Sequence, residues 1–158
     1  MANPFDFSSG AVLTAAQLNQ IGDMDTSETP SWNAGISVGN ATQELAFAQV
    51  NEIVYFELEF AAGSSTTYSS SAFNFSLTGS NMPASGSTLL YDVIGQGWCL
   101  PQGSAIYTLL VVLIGGNVYP YVNVTSGIRG LNTALTSTEP ISWNTSGKLY
   151  IAGTYRTT

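Results

Sequence analysis

Residues 54–60 read VYFELEF, and their strict alternation decides the fold class. Val54, Phe56, Leu58 and Phe60 fall on one face of an extended chain, and Tyr55, Glu57 and Glu59 on the other. A period of two buries one face and leaves the other to solvent, as an antiparallel sheet over a core requires. Just upstream, 43–50 alternates more weakly, with Leu45 and Phe47 on one face. Asn51-Glu52 then makes a tight hairpin turn between the two runs.

Working outward, 63–71 (GSSTTYSSS) is a loop that encloses Tyr68. The next strand sets Phe73, Phe75 and Leu77 on one face, and 79–87 is a loop around Pro83. Residues 89–94 are short and apolar, after which Gly95, Gly97 and Pro101 are expected to break the chain around Trp98. Residues 106–114 (IYTLLVVLI) form a nearly continuous apolar run, which suits a strand covered on both faces. Gly115-Gly116-Asn117 predicts a hairpin into 118–124, where Pro120 predicts an edge strand or a bulge. Residues 126–139 read as polar and irregular, and PISW at 140–143 as one more short extended piece. NTSG at 144–147 turns into a final strand over 148–156. There Leu149 and Ile151 face one side, Tyr150 faces the other, and Gly153 marks a bulge or a close backbone approach. About seven or eight short strands joined by Gly/Ser/Asn turns predict an all-β domain over 32–158, a β-sandwich of jelly-roll-like topology. Neither a solenoid repeat nor a heptad run is present in the sequence.

The first 31 residues read differently. Residues 13–22 (LTAAQLNQIG) carry the one helical signal: Thr14 and Gln17 form a capping box, Leu13 and Leu18 a hydrophobic staple, and Gly22 ends the segment. That makes about two turns with Leu18 and Ile21 on one face, too short to be stable undocked. Residues 1–12, with Pro4, Phe5 and Phe7, read either as an arm whose rings plug into a neighbour or as a disordered tail. Phe5, Phe7, Leu13, Leu18 and Ile21 are therefore the candidate anchor residues. DMDTSETPS at 23–31 reads as an acidic linker.

Only 8% of the 158 residues are charged, against roughly 25% in an ordinary soluble domain. Ser, Thr, Asn, Gln and Gly must therefore build the solvent face, or other subunits must cover it. The net charge of −7, with Arg129, Lys148 and Arg156 the only bases, supplies no footprint for nucleic acid or for an anionic membrane. With no histidine, the commonest general base and metal ligand are missing, and a Ser-His-Asp triad cannot be built. Cys99 is the single cysteine, expected as a buried thiol. No metal site or cofactor motif is expected. The opening MANPFDFSSG lacks the pattern of a signal peptide, 106–114 is too short to span a bilayer, and a cytoplasmically made product is expected. The Asn-x-Ser/Thr sequons at Asn40, Asn74, Asn123 and Asn144 are then chance products of composition.

Candidate chemistry is sparse. Glu57 and Glu59 share a strand face about 7 Å apart, a spacing that suits paired glycosidase carboxylates, but an outer solvated face is the expected reading. Asp92 and Glu139 stand alone beside turns. An enzyme is the least expected class. The aromatics Tyr68, Trp98, Tyr119 and Tyr121 are the candidate ligand or partner contacts, since rings in or beside loops stack on sugars or fill a partner's pocket. Trp98 is more readily placed in the core, Tyr119 and Tyr121 at half-buried sheet positions, and Tyr68 exposed in its loop.

The aromatic arm followed by FSSGAVLTAAQLNQIGD resembles the N-terminal segment of short virion proteins of tailed bacteriophages. The stretches WNAGISVGNATQELAFAQVNEIVYFELEFAAG, TLLYDV and ISWNTSGKLYIAGTYRTT resemble the strands that follow in that group. The likeness spans about three quarters of the chain, and LTAAQLN is its most specific part. It implies a tail-fibre, minor tail or head-decoration component, commonly a homotrimer, with no catalytic residues. The expectation is a capsid cement or decoration protein located in the virion, partnered by itself and by the major capsid protein or tail components. The alternative is a tail appendage that binds host surface glycans.

Overall fold

A computed structural model of the chain describes residues 24–76, 85–86, 91–126 and 129–157. Its elements are β1 (Asp25–Glu28), β2 (Ser31–Ala34), β3 (Ile36–Ser37), β4 (Thr42–Val50), β5 (Ile53–Ala61), β6 (Thr67–Tyr68), β7 (Asn74–Ser76), β8 (Asp92–Leu100), β9 (Tyr107–Ile114), β10 (Asn117–Ser126), β11 (Arg129–Ala134) and β12 (Lys148–Arg156). The all-β class holds. Ten strands form one curled antiparallel sheet, a half-barrel, in the order β1-β4-β5-β12-β8-β9-β10-β7-β2, with β11 added beside β10; β3 and β6 pair separately. Among the described residues no helix is long and apolar enough to cross a membrane.

Connectivity makes the curl obligatory. The nine strands from β1 to β2, laid flat, would hold those two about 38 Å apart at ordinary strand spacing. Yet only Thr29 and Pro30 separate Glu28 of β1 from Ser31 of β2, a reach of about 10 Å. The two ends of the sheet are therefore drawn together. Trp32 seals the approach: its ring meets Phe60 and Phe75 edge-on at 5.7 and 5.6 Å, and its indole Nε1 donates to Gln43 Oε1 at 3.0 Å.

The inner face carries the core. Val54, Phe56, Leu58 and Phe60 of β5 are buried beside Leu149, Ile151 and Tyr155 of the neighbouring β12, in one core with Val111 of β9 and Val118 of β10. The hairpin turns follow the sequence. Gly115 and Gly116 take φ of 56° and 81°, as a two-residue turn matching strand twist demands, and Asn51 takes φ 55° between β4 and β5.

Several local expectations are corrected. Gly95 and Gly97 do not break the chain; they lie inside β8, which runs unbroken from Asp92 to Leu100 beside β12. A Cβ at Gly97 would sit 2.1 Å from Tyr150 O, and one at Gly95 2.1 Å from Ala152 O, so the glycines permit a close approach of two central strands. Gly153 answers from the other side, its own Cβ position lying 2.4 Å from Ile94 O. Residues 129–134, read as irregular, form β11, because they complete a hairpin with β10 in which polar side chains are as acceptable as apolar ones. Pro120 lies in neither an edge strand nor a bulge. It sits in β10 where that strand's outer partner changes from β7 to β11, so the missing N–H breaks no ladder there, while its carbonyl accepts from Leu135 N at 2.9 Å. Residues 140–143 are no strand; Trp143 folds back, donating its N to Ser137 O at 3.0 Å and its Nε1 to Glu139 O at 3.2 Å. Asp25–Glu28, read as linker, pairs with β4. The expected helix over 13–22 and arm over 1–12, with Phe5, Phe7, Leu13, Leu18 and Ile21, lie outside the described residues, as does Leu77.

Candidate functional site

The outer face of the half-barrel brings side chains from four strands into one cross-strand row. Glu44 of β4 pairs with Glu59 of β5, Glu59 with Tyr150 of β12, and Tyr150 with Trp98 of β8. Directly opposed residues on one sheet face have their Cβ atoms about 5 Å apart, so these four side chains are immediate neighbours. The alternation that sends Leu58 and Ile151 inward sends this row outward.

Trp98 and Tyr150 stack with ring centroids 6.1 Å apart and planes 21° from parallel. Trp98 keeps 36% of its surface exposed, which corrects the expectation that it packs in the core. The reason is register: Cys99 takes the inward position and is fully buried, so its neighbour must point out. Thr42, Gln43 and Lys148 complete a shallow depression of about 280 Å³ around the two rings and two carboxylates. The Tyr150 phenol is raised above its ordinary value, first by partial burial, then by the charge of Glu57 and a hydrogen bond to it, and last by the charge of Glu59. Its hydroxyl is thereby held protonated, as a donor within reach of carboxylate acceptors.

The other candidates separate. Tyr68 is not exposed in its loop. Its ring stacks on Phe73 at 5.8 Å and meets Trp143 at 5.5 Å, its hydroxyl donates to Asn144 O at 3.2 Å, and burial pushes its pKa up to about 12. It is a half-buried ring packed against the edge of the core, because the loop folds back over Phe73. Tyr119 and Tyr121 are half-buried on the outer side of β10, alternating with buried Val118, Pro120 and Val122, as the sequence suggested. Tyr121 is raised by burial first and then by Tyr91 and Tyr119, which places the three phenols near one another, with Tyr91 the most exposed at 62%. Glu57 and Glu59 both point outward. Cys99 is a free thiol at about 12, raised by burial. Among the described residues, no three His, Cys, Asp or Glu side chains are grouped to hold a metal ion.

Sequence reasoning missed Glu44 and Tyr150. Each showed its outward phase, but nothing local said that β12, the last strand, lies between β5 and β8. Comparison of the chain with protein-family models, with curated proteins and with solved structures found no match. The fold and site together define an all-β half-barrel that carries an outward aromatic and acidic row beside a separate tyrosine patch.

Proposed function

We propose that the chain is a structural virion protein of a tailed bacteriophage, a homotrimeric capsid cement or decoration protein that stiffens the shell by contact and not by catalysis. The observation that supports this most is the patch of Tyr91, Tyr119 and Tyr121 on the outer side of the sheet. Tyrosines bury large area at little entropic cost and are enriched where proteins meet. With only 8% of residues charged, little around the patch opposes its burial against a second subunit or a capsid protein. The jelly-roll-like topology expected from strand spacing, and placement in the virion, belong to this same reading. Immunogold labelling of intact virions with antibody to this chain tests it: gold spread over the head supports it, and no gold on any part of the virion refutes it.

The Trp98–Tyr150 row favours a second reading, a tail appendage that binds host surface glycans. Exposed rings stack on the apolar face of a sugar while carboxylates accept its hydroxyls. Gold confined to the tail, together with glycan-array binding that Trp98→Ala abolishes, would favour this reading over the first.

A further inference from the structure

The row of Glu44, Glu59, Tyr150 and Trp98 carries a charge imbalance. Glu44 and Glu59 stand directly opposite each other on β4 and β5, both exposed on the outer face. Like charges in that relation repel and weaken a sheet. Among the described residues nothing answers them at contact: Tyr150 donates its hydroxyl to Glu57 instead, and no ion pair joins Lys148 to either carboxylate. Two carboxylates against one ammonium leave the lining of the depression with a surplus of one negative charge.

The aromatic end of the row has the same sign. The π faces of Trp98 and Tyr150 are negative, and indole is the best of the side-chain rings at holding a cation. Tyr150 lies one strand spacing, about 5 Å, from Glu59, so a group resting against the stacked rings comes beside that carboxylate. An anionic ligand is repelled by both ends of the row. A neutral, hydroxyl-bearing one stacks and donates hydrogen bonds but leaves the repulsion between Glu44 and Glu59 in place. An organic cation satisfies the rings and relieves the carboxylates together. At about 280 Å³ the depression falls just short of the range that encloses drug-sized ligands, about 300–1,000 Å³, so it admits one small headgroup.

We propose that this depression is a binding site for an organic ammonium group, which rests on the faces of Trp98 and Tyr150 and pairs with Glu59, with Glu44 adding to the attraction. The inference rests on the second functional reading only in naming the carrier: on that reading the ligand is a surface sugar bearing a free amine, chosen over neutral and acidic sugars.

The test follows the indole N–H signals of the full-length, nitrogen-15-labelled chain by NMR. There are three tryptophans, and Trp98→Phe identifies the signal of Trp98. Glucosamine, N-acetylglucosamine, glucuronate and tetramethylammonium are titrated separately at constant ionic strength and slightly acidic pH, where the free amine of glucosamine is charged. Glucosamine and tetramethylammonium are expected to shift the Trp98 signal saturably, glucosamine at least about tenfold more tightly than N-acetylglucosamine, and glucuronate not at all. The buried Trp143, whose indole donates to Glu139 O, should stay in place. Glu44→Gln with Glu59→Gln alters two exposed side chains, so it should keep the thermal midpoint while bringing the two sugars within about twofold of each other. Equal binding of glucosamine and N-acetylglucosamine would overturn the proposal and leave the glycan reading standing. A response to tetramethylammonium with none to any sugar would uphold the ammonium site and count against the glycan reading. No response to either cation, or a preference for glucosamine that survives in the double Gln variant, would overturn the proposal.

Discussion

Replacing Gly97 by alanine is expected to destabilise the protein, although glycine inside a strand normally costs about 0.5–1 kcal/mol relative to alanine and its removal should help. The difference lies in the approach of β8 to β12. The new methyl would stand 2.1 Å from Tyr150 O, 2.7 Å from Ile151 Cγ2 and 2.9 Å from Ile151 Cα, where ordinary contact begins at 3.4 Å. Two of those atoms are backbone, so a rotamer change cannot relieve the clash. Instead β8 and β12 must separate by more than an ångström. Yet β12 is held in continuous register with β5 from Lys148 to Arg156, and Ile151 is fully buried. Overpacking of this kind costs about 1–3 kcal/mol, and with rigid backbone on the far side the upper end applies. After subtracting the propensity gain, the net loss is about 2 kcal/mol. For a chain of this size that corresponds to a fall in Tm of about 4–8 °C. Urea titration at 25 °C with a parallel thermal melt measures both. An unchanged or raised midpoint would refute the inference that β8 and β12 are in glycine-dependent contact. Gly115→Ala is the companion variant: nothing lies within 4 Å of its Cβ position, so its cost comes only from a φ of 56° and should be about 1–2 kcal/mol.

Further outcomes follow from the same geometry. Phe73→Ala should cost about 3–5 kcal/mol, because it removes the ring beneath Tyr68 and Trp143, whereas Tyr68→Phe, which loses one hydrogen bond at the surface, should cost no more than about 1 kcal/mol; chemical denaturation separates the two. Tyr68 and Cys99 are both held up to about 12 by burial, and Tyr155 is raised by the same cause, so the unfolded chain loses these protons at lower pH than the folded one. Stability should therefore be intact below about pH 9 and fall as pH rises from there toward 12, and denaturation midpoints measured across that window would show it. Cys99 should not react with a thiol reagent at pH 8 in the native protein and should react stoichiometrically once urea unfolds it. The ion pair between Arg156 and Glu52 is exposed on both sides, so Glu52→Gln should change stability by less than about 1 kcal/mol in the same titration.

Much of the fold was legible in the chain itself, and the reason is local. The phase of VYFELEF is a property of consecutive residues, so Val54, Phe56, Leu58 and Phe60 could be placed inside before any partner strand was known. The turn at Gly115-Gly116 was legible too, and that at Asn51 less sharply for want of a glycine, because a positive φ selects glycine first and asparagine after it. The glycines of β8 were misleading for the same reason. Their composition signals a break, while their use depends on the carbonyls of β12, more than fifty residues away in sequence. The polar RGLNTA of β11 lacked any hydrophobic phase and was paired only by the hairpin geometry of β10.

The candidate site shows where that boundary falls. By itself the sequence determined the class of structure, the inward face of its long strands and the tight turns, since each depends on the backbone's allowed angles and on side-chain alternation. Tertiary structure alone decided that β12 sits between β5 and β8, that Trp98 therefore stacks on Tyr150 beside Glu59 and Glu44, and that Tyr68 is covered by Trp143. Neighbours across a sheet are set by strand order, and strand order is set by the sum of long-range contacts; here the two-residue link between β1 and β2 then forces the whole sheet to curl.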